Sequence, residues 1–379
     1  MFELKKNYPG LIYITENSKS SPDPSIVDLT GESSSANAPD ALLKCAIEAL
    51  ACGDLSYDAD GYFPLREIIS EMIFSGYSYR YNPHTEITIS NGFHQAYSTI
   101  ISALIKEGDE VIVFEPSYYT YLPAIEANAG RPVYVQLKQP DFHINWDEVQ
   151  KVITARTKLI IINTPHHVSG AILTASDMER LNKIVHGTNI YILSDETYAP
   201  VIFEEYEHQS VARYPRLAER SFLISGFSKQ LSNDSWQISY CVSPEKLMNN
   251  FRKMQHIQLM GANLPFQIAL ANYLKQNPDL PNMGSTLQKK RDLLLNGLKN
   301  GRLTFLPATG SYFQLINYSK LSPLKDVAFC KQLLDDNHIN VTPLSYFYHD
   351  TVDLRYFRVN FSKPDEQLVR ANEILSKLN

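Results

Sequence analysis

The sequence predicts an α/β fold in which a seven-stranded, mostly parallel sheet forms a large unit and a smaller α+β unit follows it. Two patterns carry this expectation. Short runs rich in β-branched and aromatic residues alternate with helical patterns through the middle of the chain, as in a sheet covered on both faces. Near Pro281 the alternation gives way to a long helix and scattered short strands. The length of 379 residues also favours a large domain with a smaller companion.

In chain order, the Ser-rich stretch Gly31 to Ala38 reads as a loop. Asp40 and the apolar positions Leu42, Leu43, Ala46, Ile47 and Leu50 predict a short helix that stops at Gly53. Strands are expected at Glu86–Ser90, Glu110–Phe114, Pro132–Gln136, Lys158–Asn163, Ile190–Ser194, Ser221–Ser225 and Gln237–Val242. Helices are expected at Gln95–Lys106, Tyr119–Asn128, Trp146–Ile153 and Ala175–His186. The second unit should contain a helix over Ser285–Lys299, strands at Leu303–Leu306 and Tyr312–Ile316, and a helix over Lys325–Asn337. A strand at Arg355–Phe361 and a helix from Pro364 close it. The expected division is residues 40–284 for the large domain and 285–379 for the small one, with 1–39 packing against the latter.

Composition narrows the function classes. Hydrophobic residues make up 44% and charged residues 20%, as in ordinary globular proteins. The net charge of -6 is mild, and no basic block suggests nucleic acid or an anionic membrane. The N-terminus lacks the apolar core of a signal peptide, and no apolar run reaches membrane-spanning length. Cys45, Cys52, Cys241 and Cys330 form neither a CxxC pair nor a disulfide framework, so a reducing cytoplasm is expected.

In sheets of this kind ligands bind beyond the carboxyl ends of the strands. Asp195 follows one strand in Ser-Asp-Glu-Thr-Tyr and Lys229 another in Ser-Gly-Phe-Ser-Lys. Taken singly, these read as a helix-capping aspartate and a solvated loop lysine. Together they match what pyridoxal phosphate requires: an amine to bond its aldehyde, and a carboxylate to keep the ring nitrogen protonated. Tyr198, three residues after Asp195, could hydrogen-bond the ring hydroxyl. Ser90-Asn91-Gly92-Phe93-His94-Gln95 opens a helix straight after a strand, where free N–H groups favour a phosphate, though such joints also occur without ligands. Tyr118 could lie against a flat cofactor or belong to a packing cluster, given 23 tyrosines. His166 and His167 invite a metal reading, but adjacent side chains diverge and no further ligand spacing supports it, so no metal is expected. Arg358 is either a clamp for a substrate carboxylate or a surface strand arginine.

The order of these pieces resembles the fold-type I, class I/II aminotransferases, most closely the branch with the methionine and kynurenine enzymes. Asn163-Thr164-Pro165-His166 resembles the start of N-x-P-x-N-P-[TS]-G, and Ser194-Asp195-Glu196-x-Tyr198 resembles S-D-E-x-Y. Phe227-Ser228-Lys229 resembles the lysine motif, and Arg358-x-Asn360-Phe361-Ser362-Lys363 resembles R-x-x-F-[AS]-K. The likeness runs from about Gly31 to the last helix. It implies a PLP-dependent transferase fold and transfer of an amino group from an amino acid, neutral or aromatic, to a 2-oxo acid. Lys229 would hold the cofactor and move the substrate proton; Asp195 would pair with the ring nitrogen, Tyr198 with the ring hydroxyl, and Tyr118 would stack on the ring. Gly92, Phe93, His94 and Ser228 would serve the phosphate, joined by Tyr57 from a neighbouring subunit, which implies a homodimer. Arg358, Gly31 and His167 would face the substrate.

Five positions depart from the family pattern. His167 and Val168 replace Asn-Pro; Gln237 replaces a phosphate-binding Arg or Lys; Gly226 replaces a Ser or Thr; Ser235 replaces the Gly before Trp236. Fewer charge-assisted bonds should weaken phosphate binding. Three readings follow: a transaminase, another pyridoxal-phosphate reaction such as a lyase or a specialised biosynthetic step, and a non-catalytic descendant. Retention of Lys229, Asp195, Tyr198 and Arg358 weighs against the last.

Overall fold

The computed structural model describes residues 23–53, 58–203, 205–280, 283–299, 301–350 and 352–378. A short strand β1 (Val27–Asp28) opens the described chain. The large sheet contains β2 (Ile87–Asn91), β3 (Glu110–Glu115), β4 (Arg131–Gln136), β5 (Thr157–Asn163), β6 (Tyr191–Asp195), β7 (Ser221–Gly226) and β8 (Ile238–Val242). Its order is β2-β8-β7-β6-β5-β3-β4, and β8 runs antiparallel to both neighbours while the other pairings are parallel. All seven expected strands form, and the sheet is the mostly parallel one that was expected. Every residue of β3, β7 and β8 is buried, because helices cover both faces and alternation has no solvent side to serve.

Local chemistry sets the helix ends. Gly53 stops the helix Asp40–Cys52 at φ 63°, a left-handed conformation that glycine adopts without a Cβ clash. Thr174 and Asp177 form a reciprocal capping box at the start of Ala175–Val185. Helices at Phe63–Tyr77, Glu245–Gln258 and Leu264–Gln276 were not singled out from the sequence.

In the C-terminal part, β9 (Phe313–Asn317), β10 (Ile339–Asn340), β11 (Thr342–Pro343) and β12 (Tyr356–Asn360) follow the helix Met283–Asn296. An antiparallel sheet has the order β11-β12-β9, and β1 pairs in parallel with β10. The strand expected at Leu303–Leu306 is corrected to an isolated bridge, Thr304 to Asn317: Leu303 is buried but Leu306 is exposed, so no run of alternating burial exists there. Gln237 and Arg355, expected to begin strands, adopt φ 51° and 56°, outside β space, so their strands start one residue later.

Two hydrophobic cores result. One surrounds the large sheet. The other gathers Val27 and Leu29 with Leu294, Phe329, Phe357 and Phe361, and takes in Tyr198 and Phe203 from beyond β6. Fully burying side chains of this size is worth about 1.5–3 kcal/mol each. Tyr198 is therefore fixed by packing from the C-terminal part, although its chain position follows the large sheet. Among the described residues, no helix is long and apolar enough to cross a membrane.

Candidate active site

The carboxyl ends of β3, β5, β6 and β7, with the end of β2, converge on a cleft of about 510 Å³. Gly31, Phe93, His94, Tyr118, His167, Tyr198, Lys229, Gln237 and Arg358 all line it, so nine expected site residues from both parts of the chain meet there. Asp195 lies one hydrogen bond behind the wall. Its Oδ2 accepts bonds from Tyr97 at 2.6 Å, from Tyr121, and from His167 Nε2 at 3.0 Å. Its Oδ1 accepts the Thr197 hydroxyl at 2.5 Å and the Thr197 N–H at 3.1 Å. Burial pushes this carboxyl up, but the His167 charge and the bonds from His167, Thr197 and Tyr121 outweigh it and hold Asp195 well below the usual carboxylate range. Asp195 is thus a carboxylate in a fully buried place, suited to a cationic N–H.

Lys229 sits in the one-turn helix Ser228–Leu231 rather than a solvated loop. Its buried Nζ lies 3.1 Å from the carbonyl of Glu32 and 3.0 Å from Asp234 Oδ1, and 5.3 Å from the Tyr198 ring centre. Burial raises the Tyr198 phenol well above its ordinary range, with Tyr312 and Glu32 adding to it, so Tyr198 is a neutral donor. Arg358 is also buried, not a surface arginine. Its guanidinium carbon lies 4.0 Å from the Phe313 ring centre and 4.4 Å from that of Phe347, which fixes the fork in one plane. Nη2 bonds the Glu32 carboxylate and Nη1 donates to the His167 carbonyl at 3.1 Å. Asn360 Nδ2 holds the Gly31 carbonyl at 3.1 Å, which sets the loop carrying Glu32 over the site.

At the other end, Gly92 opens the helix Gly92–Leu104, and Asn91 makes no side-chain cap, so the first-turn N–H groups are not taken by one. Gly92 has φ 78°, and a Cβ there would stand 2.2 Å from Gln237 Oε1, which places Gln237 across the helix start. Gln237 Nε2 donates to the Asp234 carbonyl at 2.6 Å. His94 Nε2 bonds the Tyr118 hydroxyl at 2.8 Å, and burial, then the His167 charge, lowers its pKa. A Cβ on Gly226 would meet the Phe93 ring at 3.1 Å and the Ile238 carbonyl at 3.2 Å, so Phe93 fills the space a hydroxyl side chain at 226 would need. Ser228 Oγ is buried without a partner. Tyr57 lies outside the described residues.

These features fit pyridoxal phosphate at the ring end: a buried carboxylate, an amine, a phenol and an aromatic face. At the phosphate end uncapped N–H groups and the unpartnered Ser228 hydroxyl suit a phosphate, while the Asp234 carboxylate beside Lys229 opposes one. Five residues of the site were not found from sequence: Tyr97, Tyr121, Thr197, Glu32 and Asp234. Only Thr197, inside the Asp195–Tyr198 segment, carried a local signal. The His166–His167 pair does not act together: His166 Nδ1 bonds Ser169 at 2.9 Å, and burial lowers its pKa to about 3.

A large, mostly parallel sheet with a lysine and an aspartate just beyond its strand ends, and a buried arginine across the cleft, is an arrangement that suits pyridoxal phosphate. The family model for aminotransferase class I and II matches residues 28–375, and the chain belongs to that family. Methionine aminotransferase of Escherichia coli is 35% identical over 322 residues, covering 84% of this chain and 83% of its own. A kynurenine–oxoglutarate transaminase of Dictyostelium discoideum is 27% identical, covering 84% and 82%. Among solved structures, an Escherichia coli methionine aminotransferase superposes with a TM-score of 0.92 at 31% identity, covering 100% of this chain and 99% of that one. N-succinyldiaminopimelate aminotransferase of Mycobacterium tuberculosis gives 0.89 at 27% identity, covering 93% and 94%. The protein is a PLP-dependent amino-acid transaminase.

Proposed function

We propose that Lys229 is the covalent attachment point and proton carrier of this transaminase, and that its amino donor has a neutral, apolar or aromatic, side chain. The observation that carries the site assignment is that one residue, Glu32, touches both Lys229 Nζ through its carbonyl and Arg358 through its carboxylate. One loop residue thus ties the amine and the guanidinium to the same cleft, where an amine-reactive cofactor and a substrate carboxylate can be held side by side.

When bound, pyridoxal phosphate supplies an electron sink for the pair left at the substrate α-carbon. Asp195 would accept the ring N–H, and its ionised state keeps that nitrogen protonated. Tyr198 would donate to the ring hydroxyl, and Tyr118 would cover one ring face. Gly92, Phe93, His94, Ser228 and Gln237 would surround the phosphate. Arg358, with Gly31 and His167 beside it, would hold the substrate carboxylate and so orient the α-C–H bond. Lys229 Nζ would take that proton as general base and give one back as general acid. Phe313, Phe347, Tyr119 and Tyr312 near the cleft favour a neutral side chain over a charged one.

The same reading holds the chain to be a cytoplasmic homodimer, divided at residues 40 and 285, with Tyr57 of one subunit reaching the other's phosphate. The four free cysteines support the compartment. Single-turnover spectroscopy with a panel of amino acids tests the substrate class. Neutral amino acids should bleach the cofactor absorbance and a 2-oxo acid should restore it. Fastest bleaching by aspartate or glutamate would overturn the neutral-substrate reading, and ammonia release without recovery would mark a lyase.

A further inference from the structure

We propose that His167 is a rival of the cofactor ring, built into its seat and displaced when the cofactor binds. The inference rests on Asp195 and Tyr118 being the ring's contacts. The imidazole already makes both. It stacks on Tyr118 with ring centres 4.3 Å apart and planes at 26°, and its Nε2 stands 3.0 Å from Asp195 Oδ2. A pyridine ring that lies on Tyr118 and points its nitrogen at Asp195 needs the same volume.

The carboxylate also has no room for both. Asp195 has five donors, three on Oδ2 and two on Oδ1, where a carboxylate offers about four lone-pair sites. A ring N–H enters only if one donor leaves. The Thr197 contacts come from the residue two along the chain, and Tyr97 and Tyr121 are held in the packed core. Three of the donors, Tyr97, Thr197 and His167, line the cleft; Tyr97 is packed in the core and Thr197 is tied to Asp195 through its own N–H as well, so His167 is the donor that can leave. Its Nδ1 is buried without a partner, so among the imidazole's polar contacts the Asp195 bond is what holds it. Its backbone is pinned at both ends, the N–H to Asn163 Oδ1 at 2.6 Å and the carbonyl to Arg358. The displacement is therefore a side-chain rotation, not a loop movement. Asparagine, which the family pattern has here, has no ring to lie on Tyr118, and its amide nitrogen stands closer to the backbone than an imidazole Nε2.

The test is the affinity of the full chain for pyridoxamine phosphate, which forms no covalent bond to Lys229, measured by calorimetry. His167→Ala and His167→Asn should bind it tighter by about tenfold, the scale of one charge-assisted hydrogen bond no longer displaced. Should the alanine variant fail to fold, the asparagine variant carries the test. Asp195→Asn should weaken binding in the His167→Ala background, and in the Asp195→Asn background the gain from His167→Ala should shrink. Equal or weaker binding by both His167 variants would overturn the proposal, with the site assignment intact if Asp195→Asn still weakens binding. No effect of Asp195→Asn in either background would remove the site assignment, and this proposal with it.

Discussion

Replacing Gln237 by arginine should tighten the cofactor, and the structure sets how far. Gln237 lies across the start of the helix Gly92–Leu104 and donates to the Asp234 carbonyl at 2.6 Å. Losing that neutral bond costs about 1 kcal/mol, while a guanidinium bonded to phosphate contributes about 1.5–3 kcal/mol. The net gain is about 0.5–2 kcal/mol, or about 2- to 30-fold in Kd. Asp234, paired with Lys229 at 3.0 Å, also attracts the new charge, which puts the expectation in the lower half of that range. The backbone adds no new cost, because φ 51° strains arginine and glutamine alike. Titration with pyridoxamine phosphate, followed by Trp236 fluorescence beside the substituted residue, reads the change. The gain should fall as salt rises, since Gln237 is exposed and screening acts on it fully. An unchanged Kd, or a gain indifferent to salt, would refute the placement of Gln237 at the phosphate.

Glu32→Gln should lower KM for the neutral amino acid that bleaches the cofactor fastest by about 5- to 30-fold with kcat little changed, because the substrate carboxylate then displaces a neutral group from Arg358 instead of a charged one. A fall in kcat with KM unmoved would show that Glu32 is not in the substrate's place. Gly226→Ser should destabilise the fold by about 1–3 kcal/mol in urea, since the added atoms press on Phe93 and the Ile238 carbonyl. Combining it with Phe93→Ala should cost less than the two singly, and strict additivity would mean the two positions do not share that space.

Much of the fold was legible because the strands are buried on both faces and bounded by polar turns. The seven strand expectations fall within one or two residues of the observed limits. Three helices were not, for visible reasons. Phe63–Tyr77 buries Arg66 and Ser70 on its inner face, Glu245–Gln258 buries Gln255 and Leu264–Gln276 buries Gln267, so the apolar periodicity is broken by polar residues with specific partners. In the candidate site, Lys229, Asp195 and Arg358 could be singled out because Asp195 ends β6, Lys229 follows β7 within three residues and Arg358 lies on β12, each in a recognisable motif. Glu32 was not: its partner Arg358 is 326 residues away, and nothing local marks a loop glutamate as an arginine's counter-ion. Tyr97 and Tyr121 were hidden among 23 tyrosines, and only the fold turns their hydroxyls to Asp195. Gly226 was legible as a departure but not as a packing choice, which required the Phe93 ring against it.

Two lysines, Lys229 and Lys363, line the same cleft, and burial lowers the pKa of Lys363, which makes it a real competitor for an aldehyde. Borohydride reduction of the pyridoxal-phosphate-loaded enzyme, followed by peptide mapping, separates them. The label should fall on the peptide carrying Lys229 and be absent there in Lys229→Ala. A label on Lys363, or on any other lysine, would contradict the assignment on which this mechanism stands.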